Sequence, residues 1–179
     1  MCGRYNITNV EPMRRLMARL GLNAMPRPHL NVPPGAIGEI VIETDECREL
    51  QQAVWSMLIE PKRDGNGYRP DPKYTTFNAQ SRRLTTSPLW KRHYRHCRAI
   101  LPASGFHERQ GTQAHKQCMN IHGSGDNSAL ALANLYQEWQ FGDESVISFA
   151  VITLPPHPRF EHVHAKSIPL MLEPKDFDA

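Results

Sequence analysis

The second residue of the chain is a cysteine, and its position allows nucleophilic chemistry. The sequence begins Met1-Cys2-Gly3-Arg4, and a starting methionine is usually removed when a small residue follows it, so the mature chain would begin at Cys2. A chain-starting cysteine carries an α-amine with a pKa of about 8. Its amine and thiol can condense with an aldehyde, first as a Schiff base and then as a thiazolidine ring. A retained Met1 would block the amine, and an N-terminal cysteine taken alone is more often a bystander.

Metal chemistry is not favoured by the remaining cysteines and histidines. The four cysteines are Cys2, Cys47, Cys97 and Cys118. They are widely spaced and form no C-x-x-C pair, so neither a zinc knuckle nor a secreted disulfide framework is indicated, and we expect reduced thiols. His162 and His164 could form a metal pair, but no third ligand follows at a usual spacing. We expect no metal and no cofactor.

Positive charge is concentrated in one segment. Ten Lys or Arg residues and only two Asp lie between Lys62 and Arg98, whereas the rest of the chain has more acidic than basic residues. Such a segment suits a phosphate-binding surface, because neutralised phosphates release condensed counterions. A solvated basic face is the alternative interpretation, and charge alone does not separate the two.

The length of the chain and its content of proline and glycine predict its architecture. A chain of 179 residues fits one domain, and 15 prolines with 11 glycines divide it into short elements. Met13, Leu16, Met17 and Leu20 have helical spacing within Thr8–Gly21, with Thr8 or Asn9 as a cap and Gly21 as a stop. We interpret this apolar stripe as core contact rather than as a binding surface.

Further elements follow from composition. A second, basic helix is predicted over Ser87–Arg98, and polar loops are predicted over Lys62–Lys73 and His107–Lys116. Strands are predicted over six apolar or alternating runs, Glu39–Glu43, Ala53–Leu58, Ala99–Pro102, Ala129–Tyr136, Val146–Leu154 and Pro169–Leu172. These elements predict an α+β domain built around antiparallel sheets. No apolar run is long enough for a membrane helix and no signal peptide is recognisable, so we expect a cytoplasmic protein.

Five ordered sequence blocks resemble the SOS response-associated peptidase (SRAP) family. The blocks are Met1–Tyr5 (MCGRY), Leu30–Pro34 (LNVPP), Phe77–Ser81 (FNAQS), Cys97–Glu108 (CRAILPASGFHE) and His162–Lys166 (HVHAK) ahead of Ile168-Pro169. Their order and spacing match along almost the whole chain. The resemblance implies one SRAP domain over residues 1–179, with barrel-like antiparallel sheets and a few flanking helices.

The resemblance also implies a set of catalytic residues. Cys2 would form a thiazolidine crosslink with the ring-opened sugar of an abasic site. Asn78 would hold the sugar or the amine, Glu108 would orient the amine and move protons, and His164 would open the deoxyribose ring. These roles are chemically reasonable, because ring opening needs an acid and base near neutral pH and a carboxylate can stabilise an iminium ion. Taken singly, Asn78 or Glu108 would more often be a surface or turn residue.

The implied partner is single-stranded DNA containing abasic sites, bound by a monomer without sequence-specific reading. The predicted phosphate-binding residues are Arg4, Arg82, Arg83, Arg98 and Lys166, and the predicted stacking residues are Trp55, Tyr68 and Trp90. Trp90 is equally compatible with the core.

The chain departs from the family pattern near the predicted site. Gln80 replaces the arginine of the N-A-R-S-E block and Arg82 replaces its glutamate. His107 and Arg109 replace the tyrosine and tryptophan of G-F-Y-E-W, and the R-M-P segment is Lys166-Ser167-Ile168-Pro169. Arg82 and Arg83 could compensate for the arginine lost at Gln80. The chain also stops earlier than family members usually do, which predicts a divergent, C-terminally shortened, bacterial or phage-like copy.

Three functions remain open from the sequence. The leading hypothesis is a covalent crosslinker that shields abasic sites during replication and the SOS response, with strand-cleaving lyase activity through the Schiff base. The second is a thiol autopeptidase that exposes Cys2, with Glu108 and His164 as the orienting and basic groups. The third is a non-catalytic single-stranded DNA binder.

Overall fold

The computed structural model describes residues 3–8, 10–110, 117–122, 129–160 and 167–178. These residues contain two α-helices, α1 (Glu11–Arg19) and α2 (Pro88–His96), and fourteen strands. The strands are β1 (Arg4–Ile7), β2 (His29–Val32), β3 (Ile37–Glu43), β4 (Arg48–Trp55), β5 (Ile59–Pro61), β6 (Tyr68–Pro70), β7 (Asn78–Gln80), β8 (Arg98–Ala103), β9 (Gly105–Gln110), β10 (Gln117–Ile121), β11 (Leu130–Phe141), β12 (Glu144–Leu154), β13 (Ile168–Pro169) and β14 (Met171–Leu172). No helix in these ranges is long and apolar enough to cross a membrane.

Five strands close into a barrel. The ring runs β12-β4-β3-β8-β11 and closes because β12 pairs with both β11 and β4. The β12–β4 contact is parallel, and the other four contacts of the ring are antiparallel. Strand β7 adds a second parallel contact to β12. The predicted α+β class with a barrel-like sheet is confirmed.

Large apolar side chains fill the barrel. Trp55 and Phe149 stack with their ring centroids 6.2 Å apart, and Ile40 and Leu101 are fully buried in the same cluster. These residues alternate with outward-facing ones along their strands, as the two-residue period of a strand requires. Helix α1 contributes to the same core through its apolar stripe of Met13, Leu16, Met17 and Leu20. The interpretation of that stripe as core contact is confirmed.

Helix α1 begins differently from the prediction. Val10 is the N-cap, without a side-chain hydrogen bond, and the helix starts at Glu11. The backbone N–H of Thr8 and its hydroxyl both donate to Ser104 Oγ instead, so Thr8 is not available as a cap. Asn9, the alternative cap, lies outside the described residues. Gly21 has a φ of 78° just after the helix, and this left-handed conformation agrees with the predicted stop.

An outer layer covers one side of the barrel. Helix α2 packs Trp90 into a second apolar cluster with Ala133, Leu135 and Ile152. The predicted basic helix is therefore confirmed, and it packs on the barrel through Trp90 while its cationic residues Lys91, Arg92 and Arg95 remain exposed.

A second sheet, in the order β10-β9-β1-β2, carries the start of the chain. The loop prediction over His107–Lys116 is wrong as far as Gln110, because these residues extend β9 between β1 and β10. Residues 111–116 lie outside the described ranges. The loop prediction over Lys62–Lys73 is also partly wrong, because β6 pairs with β5 in a hairpin. Both errors arise because hydrogen bonding to a neighbouring strand extends segments whose composition alone is typical of loops.

Candidate functional site

The start of the chain is held against β9. In the antiparallel pairing of β1 with β9, Arg4 lies opposite His107 and Tyr5 opposite Phe106. Tyr5 and Phe106 are both fully buried in the core, which fixes this register. If the same register continued by one residue, Gly3 would lie opposite Glu108. Cys2 itself, the predicted nucleophile, lies outside the described residues.

Glu108 is a buried carboxylic acid on β9. It is only 2% exposed, and it lies two residues after the buried Phe106, on the face of the strand that is directed into the core. Burial raises the pKa of the Glu108 carboxyl, and the positive charge of the chain's N-terminal amine acts in the opposite direction. A carboxyl with a raised pKa exchanges protons closer to neutral pH than an exposed one, which suits general acid–base chemistry.

Asn78 is placed by a different part of the barrel. It begins β7, lies beside Val151 of β12 and is 9% exposed. The indole of Trp55 donates a hydrogen bond of 2.9 Å to the carbonyl oxygen of Phe77, the residue before Asn78. The ring of Trp55 also lies 5.2 Å from that of Tyr5 and 6.0 Å from that of Phe77, measured between centroids. One buried indole therefore links the strand that begins the chain to the strand that carries Asn78.

A polar cluster lies on the opposite face of β1 and β9. The side-chain amide of Asn6 is 2.8 Å from His107 Nε2, and its Oδ1 accepts a hydrogen bond from the backbone of Asn31 at 2.8 Å. Asn31 has a φ of 63°, a left-handed conformation that asparagine tolerates better than most residues. The pKa of His107 is lowered by its burial and by the nearby Arg4 and His122. The sequence analysis did not identify Asn6 as part of this cluster.

A small cavity borders the end of β7. Its volume is about 140 Å³, and its lining includes Gln80, Ser81, Arg82, Thr153 and Ser167. Arg82 Nε donates a hydrogen bond of 3.1 Å to Gln80 Oε1. Thr153 is 2% exposed, and its hydroxyl has no hydrogen-bond partner within the described ranges. Gln80 and Arg82 are recognisable from the sequence motif, whereas Thr153 is not, because a threonine inside an apolar strand gives no signal of its own.

The predicted phosphate-binding residues lie at the surface where they are described. Arg82, Arg83 and Arg98 are exposed, and the partly exposed Arg4 donates a hydrogen bond of 3.3 Å to the carbonyl oxygen of Asn31. Lys166 and the predicted acid–base residue His164 lie outside the described residues. No group of three His, Cys, Asp or Glu side chains suited to a metal ion occurs in the described part of the chain.

The structure contradicts the stacking prediction for two of the three aromatic residues. Trp55 is fully buried and Trp90 is 5% exposed, so neither ring presents a face to a base, and the stacking prediction for both is wrong. Their apolar rings complete the inner and outer cores instead. Tyr68 is partly exposed, but its ring packs against Phe141 at 4.9 Å and its hydroxyl donates to Glu144.

Beside the barrel, the second sheet holds the buried carboxyl of Glu108 one residue beyond the pairing of Arg4 with His107. The family model of the SOS response associated peptidases (SRAP) matches residues 1–179, and the chain belongs to this family. Membership supports a role related to DNA damage and abasic sites. No curated protein matches the sequence.

Three crystal structures have the same fold. A protein from Bordetella bronchiseptica is 19% identical, with a TM-score of 0.75 over 98% of this chain and 86% of the other. A protein from Bacteroides thetaiotaomicron is 16% identical, with a TM-score of 0.77 over 99% of this chain and 79% of the other. A phage-related protein from Bordetella bronchiseptica is 25% identical, with a TM-score of 0.71 over 97% of this chain and 78% of the other.

Proposed function

We propose that the chain, after removal of Met1, bonds covalently through Cys2 to abasic sites in single-stranded DNA and thereby shields the lesion during replication. The observation that carries the proposal is the register of β1 against β9, because it places Arg4 opposite His107, the residue before the buried Glu108. SRAP membership supplies the connection with DNA damage.

The covalent bond geometry of the chain supports this assignment. Consecutive Cα atoms are separated by about 3.8 Å, so Cys2 stays within one residue's reach of Gly3. Gly3 in turn would face Glu108 if the register of Arg4 with His107 continued. Burial raises the pKa of Glu108, whereas the charge of the N-terminal amine, which belongs to Met1 before processing, lowers it. The Cys2 amine left after removal of Met1 would keep this relationship with its proton-transfer partner.

The proposed reaction is a condensation that releases one water molecule. The amine of Cys2 adds to the aldehyde carbon C1′ of the open sugar, and loss of the carbinolamine oxygen as water leaves an iminium ion. The sulfur of Cys2 then bonds to the same carbon, and its proton passes to a base, closing the thiazolidine. One C–N and one C–S bond form while the C=O bond is lost, so no oxidant or reductant is required.

Three residues would assist this condensation. Glu108 would accept a proton from the ammonium and return it to the leaving hydroxyl. Asn78 would donate its side-chain amide hydrogens to the sugar, and His164 would catalyse opening of the hemiacetal ring. The iminium intermediate also permits β-elimination of the 3′ phosphate, which would give the protein a secondary lyase activity.

The DNA strand would bind along the basic segment. Arg82, Arg83 and Arg98 are exposed on it, and exposed cations can pair with phosphates without first breaking a buried contact.

We assign the protein to the cytosol of a bacterial or phage-infected cell, at the nucleoid when bound to DNA, as a monomer. The description of one 25% identical relative as phage-related is in line with this setting.

The covalent step is tested with a single-stranded oligonucleotide in which one uracil has been converted to an abasic site. The Met1-free protein should give a slower-migrating, protease-sensitive band on a denaturing gel, and Cys2→Ala should give none. Cys47→Ala is the matched control, because Cys47 is an exposed free cysteine remote in sequence from the site, and it should crosslink like the unmodified protein. Absence of the band from protein whose intact mass shows a free Cys2 would refute the proposal.

A narrower peptidase activity, removal of Met1 by the chain itself, is a second candidate. The effect of the N-terminal amine on the pKa of Glu108 favours it, because this amine belongs to Met1 until the methionine is removed. Cys2→Ala should then retain Met1 in a host that lacks methionine aminopeptidase activity toward this chain, while Cys47→Ala loses it. Equal retention in both variants, read by intact mass, would eliminate self-processing.

A further inference from the structure

A groove on the outer face of the barrel lies apart from Asn78 and Glu108. Its volume is about 560 Å³, within the range of cavities that hold small ligands. Val41, Ile100 and Ala133 form a row across β3, β8 and β11, because each lies opposite the next in the strand register. Neighbouring strands are about 4.8 Å apart, so this row gives the groove an apolar floor about 10 Å wide.

One wall of the groove combines an aromatic ring with a free cation. Tyr94, at the end of α2, is 37% exposed, and Arg98, at the start of β8, is exposed. Arg98 forms no ion pair or side-chain hydrogen bond within the described ranges. Lys91 lies three residues before Tyr94, so it shares that side of the helix and extends the positive charge along this wall.

On the opposite wall the cation is already paired. This wall contains Leu172, Phe177 and Arg48, together with the carboxylates of Glu43 and Asp176. The guanidinium of Arg48 donates to the carbonyl oxygen of Phe177 at 2.9 Å and pairs with Asp178 and Glu43. The cation available to an incoming anion is therefore Arg98. An occupant that matches both walls has a planar apolar part for the floor and an anionic group for the α2 side.

We propose that this groove binds one nucleotide of undamaged single-stranded DNA, with the base lying on the Val41–Ile100–Ala133 floor beside Tyr94 and the phosphate paired with Arg98. The inference rests on the DNA-binding part of the proposed function and not on the chemistry of Cys2. It adds a site for a normal nucleotide to the site for the lesion, so that the strand would be held at two places.

Binding is tested with an undamaged fluorescent oligothymidylate, which cannot form the covalent bond. Arg98→Glu and Tyr94→Ala should each weaken binding about five-fold or more at constant ionic strength, since one phosphate contact and one stacked base are removed. Tyr94→Phe keeps the ring and should bind like the unmodified protein. Arg14→Glu is the matched charge reversal, because Arg14 is exposed on α1 and away from the groove, and it should change binding less than two-fold.

Ligand chemistry is resolved by titrating thymidine monophosphate, thymidine and inorganic phosphate while observing the backbone amide resonances of residues 94–100. The monophosphate should shift these resonances most, and Arg98→Glu should abolish its effect. Crosslinking to an abasic oligonucleotide at saturating protein should be unchanged in Tyr94→Ala, which separates failure of the groove from failure of Cys2. Equal DNA affinities of Arg98→Glu and Arg14→Glu, or preferential binding of an acidic peptide ending in an apolar residue, would overturn the nucleotide assignment.

Discussion

Gln80 accepts a hydrogen bond from Arg82 Nε at 3.1 Å, and the two side chains share the lining of the small cavity at the end of β7. Gln80 belongs to the strand that begins with Asn78 and lies beside Thr153, whereas Arg82 lies in the 3-10 turn that follows. The hydrogen bond restrains an otherwise exposed guanidinium next to the strand. The positive charge that the family pattern places at position 80 is thus present two residues later, at Arg82.

Removal of that charge should weaken DNA binding. Arg82→Ala should lower affinity for single-stranded DNA and reduce the slope of log affinity against log salt by about 0.7, the value for one phosphate contact on a single strand. Gln80→Ala should lower affinity less, because the cation remains but loses its restraint. Fluorescence anisotropy at several salt concentrations measures both effects. Arg14→Ala serves as control, and an Arg82→Ala slope identical to it would contradict the assignment.

Loss of the Glu108 carboxylate should slow crosslinking. Glu108→Gln cannot exchange protons, so the crosslinking rate should fall about 100-fold or more, the usual contribution of a general acid or base. In the unmodified protein the rate should increase with pH as the raised pKa of Glu108 is passed, because the carboxylate is the proton-accepting form. In Glu108→Gln this increase of the rate with pH should disappear, and only the increase caused by deprotonation of the Cys2 amine should remain.

The same variant should remain folded, because burial disfavours the ionised carboxyl and the neutral amide avoids that cost. Glu43→Gln is the matched control on an exposed strand end, and its rate should equal that of the unmodified protein. Rates measured by quenched gel time courses that are indistinguishable between Glu108→Gln and Glu43→Gln would remove Glu108 from the reaction.

Acidification should destabilise the fold through His107. Its pKa is lowered in the folded chain, so the unfolded chain binds a proton more readily. The stability that neutral His107 contributes is present above its unfolded pKa of about 6.5 and is lost as the pH falls through the lower folded value. The slope from this one site cannot exceed about 1.4 kcal/mol per pH unit. Urea unfolding between about pH 7.5 and 5 measures it.

His107→Gln should flatten this pH dependence, because glutamine retains an acceptor for the amide of Asn6 without titrating. His29→Gln, a change at an exposed histidine, is the control variant. A slope that persists in His107→Gln would show that another group is responsible.

A side chain at Gly38 should displace β1. A Cβ built at Gly38 would collide with the hydroxyl of Tyr5, which packs between Gly38 and Trp55. Gly38→Ala should therefore cost about 1–3 kcal/mol of stability, as overpacking of a core does, and lower the crosslinking yield. Because Tyr5→Phe removes the colliding atom, the double variant should be less destabilised than the sum of the two single changes. Additive effects in thermal and urea unfolding would contradict this contact.

Periodic elements of the fold could be predicted from the sequence. The stripe of Met13, Leu16 and Met17 identified α1, and the apolar runs identified most of β3, β8 and β12. The run Ala53–Leu58 overlaps β4 only as far as Trp55, and pairing extends β11 to Phe141 beyond the predicted Tyr136. The extension is formed by polar and aromatic residues paired with β12, a long-range contact that local composition does not encode. Strand β9 was missed for the same reason.

Candidate site residues were harder to predict because burial is a property of the assembled fold. Trp55 and Tyr68 both lie next to polar turns in the sequence. In the structure Trp55 is fully buried in the core, whereas Tyr68 is partly exposed. Glu108 is polar and lies in a segment that is typical of loops, and only the pairing of β9 with β1 explains its burial. The order of the sequence motifs indicated the family. The contacts of Trp55 with Tyr5 and Phe77 are visible only in the three-dimensional structure.

Mass analysis of the adduct tests the central claim most directly. After crosslinking to an abasic oligonucleotide, nuclease and protease digestion should leave an N-terminal peptide that begins at Cys2. It should carry the sugar phosphate with the mass of both components less one water, and fragmentation should locate the modification on Cys2. An adduct on a lysine side chain, or an N-terminal peptide that still contains Met1 in the crosslinked fraction, would contradict the account.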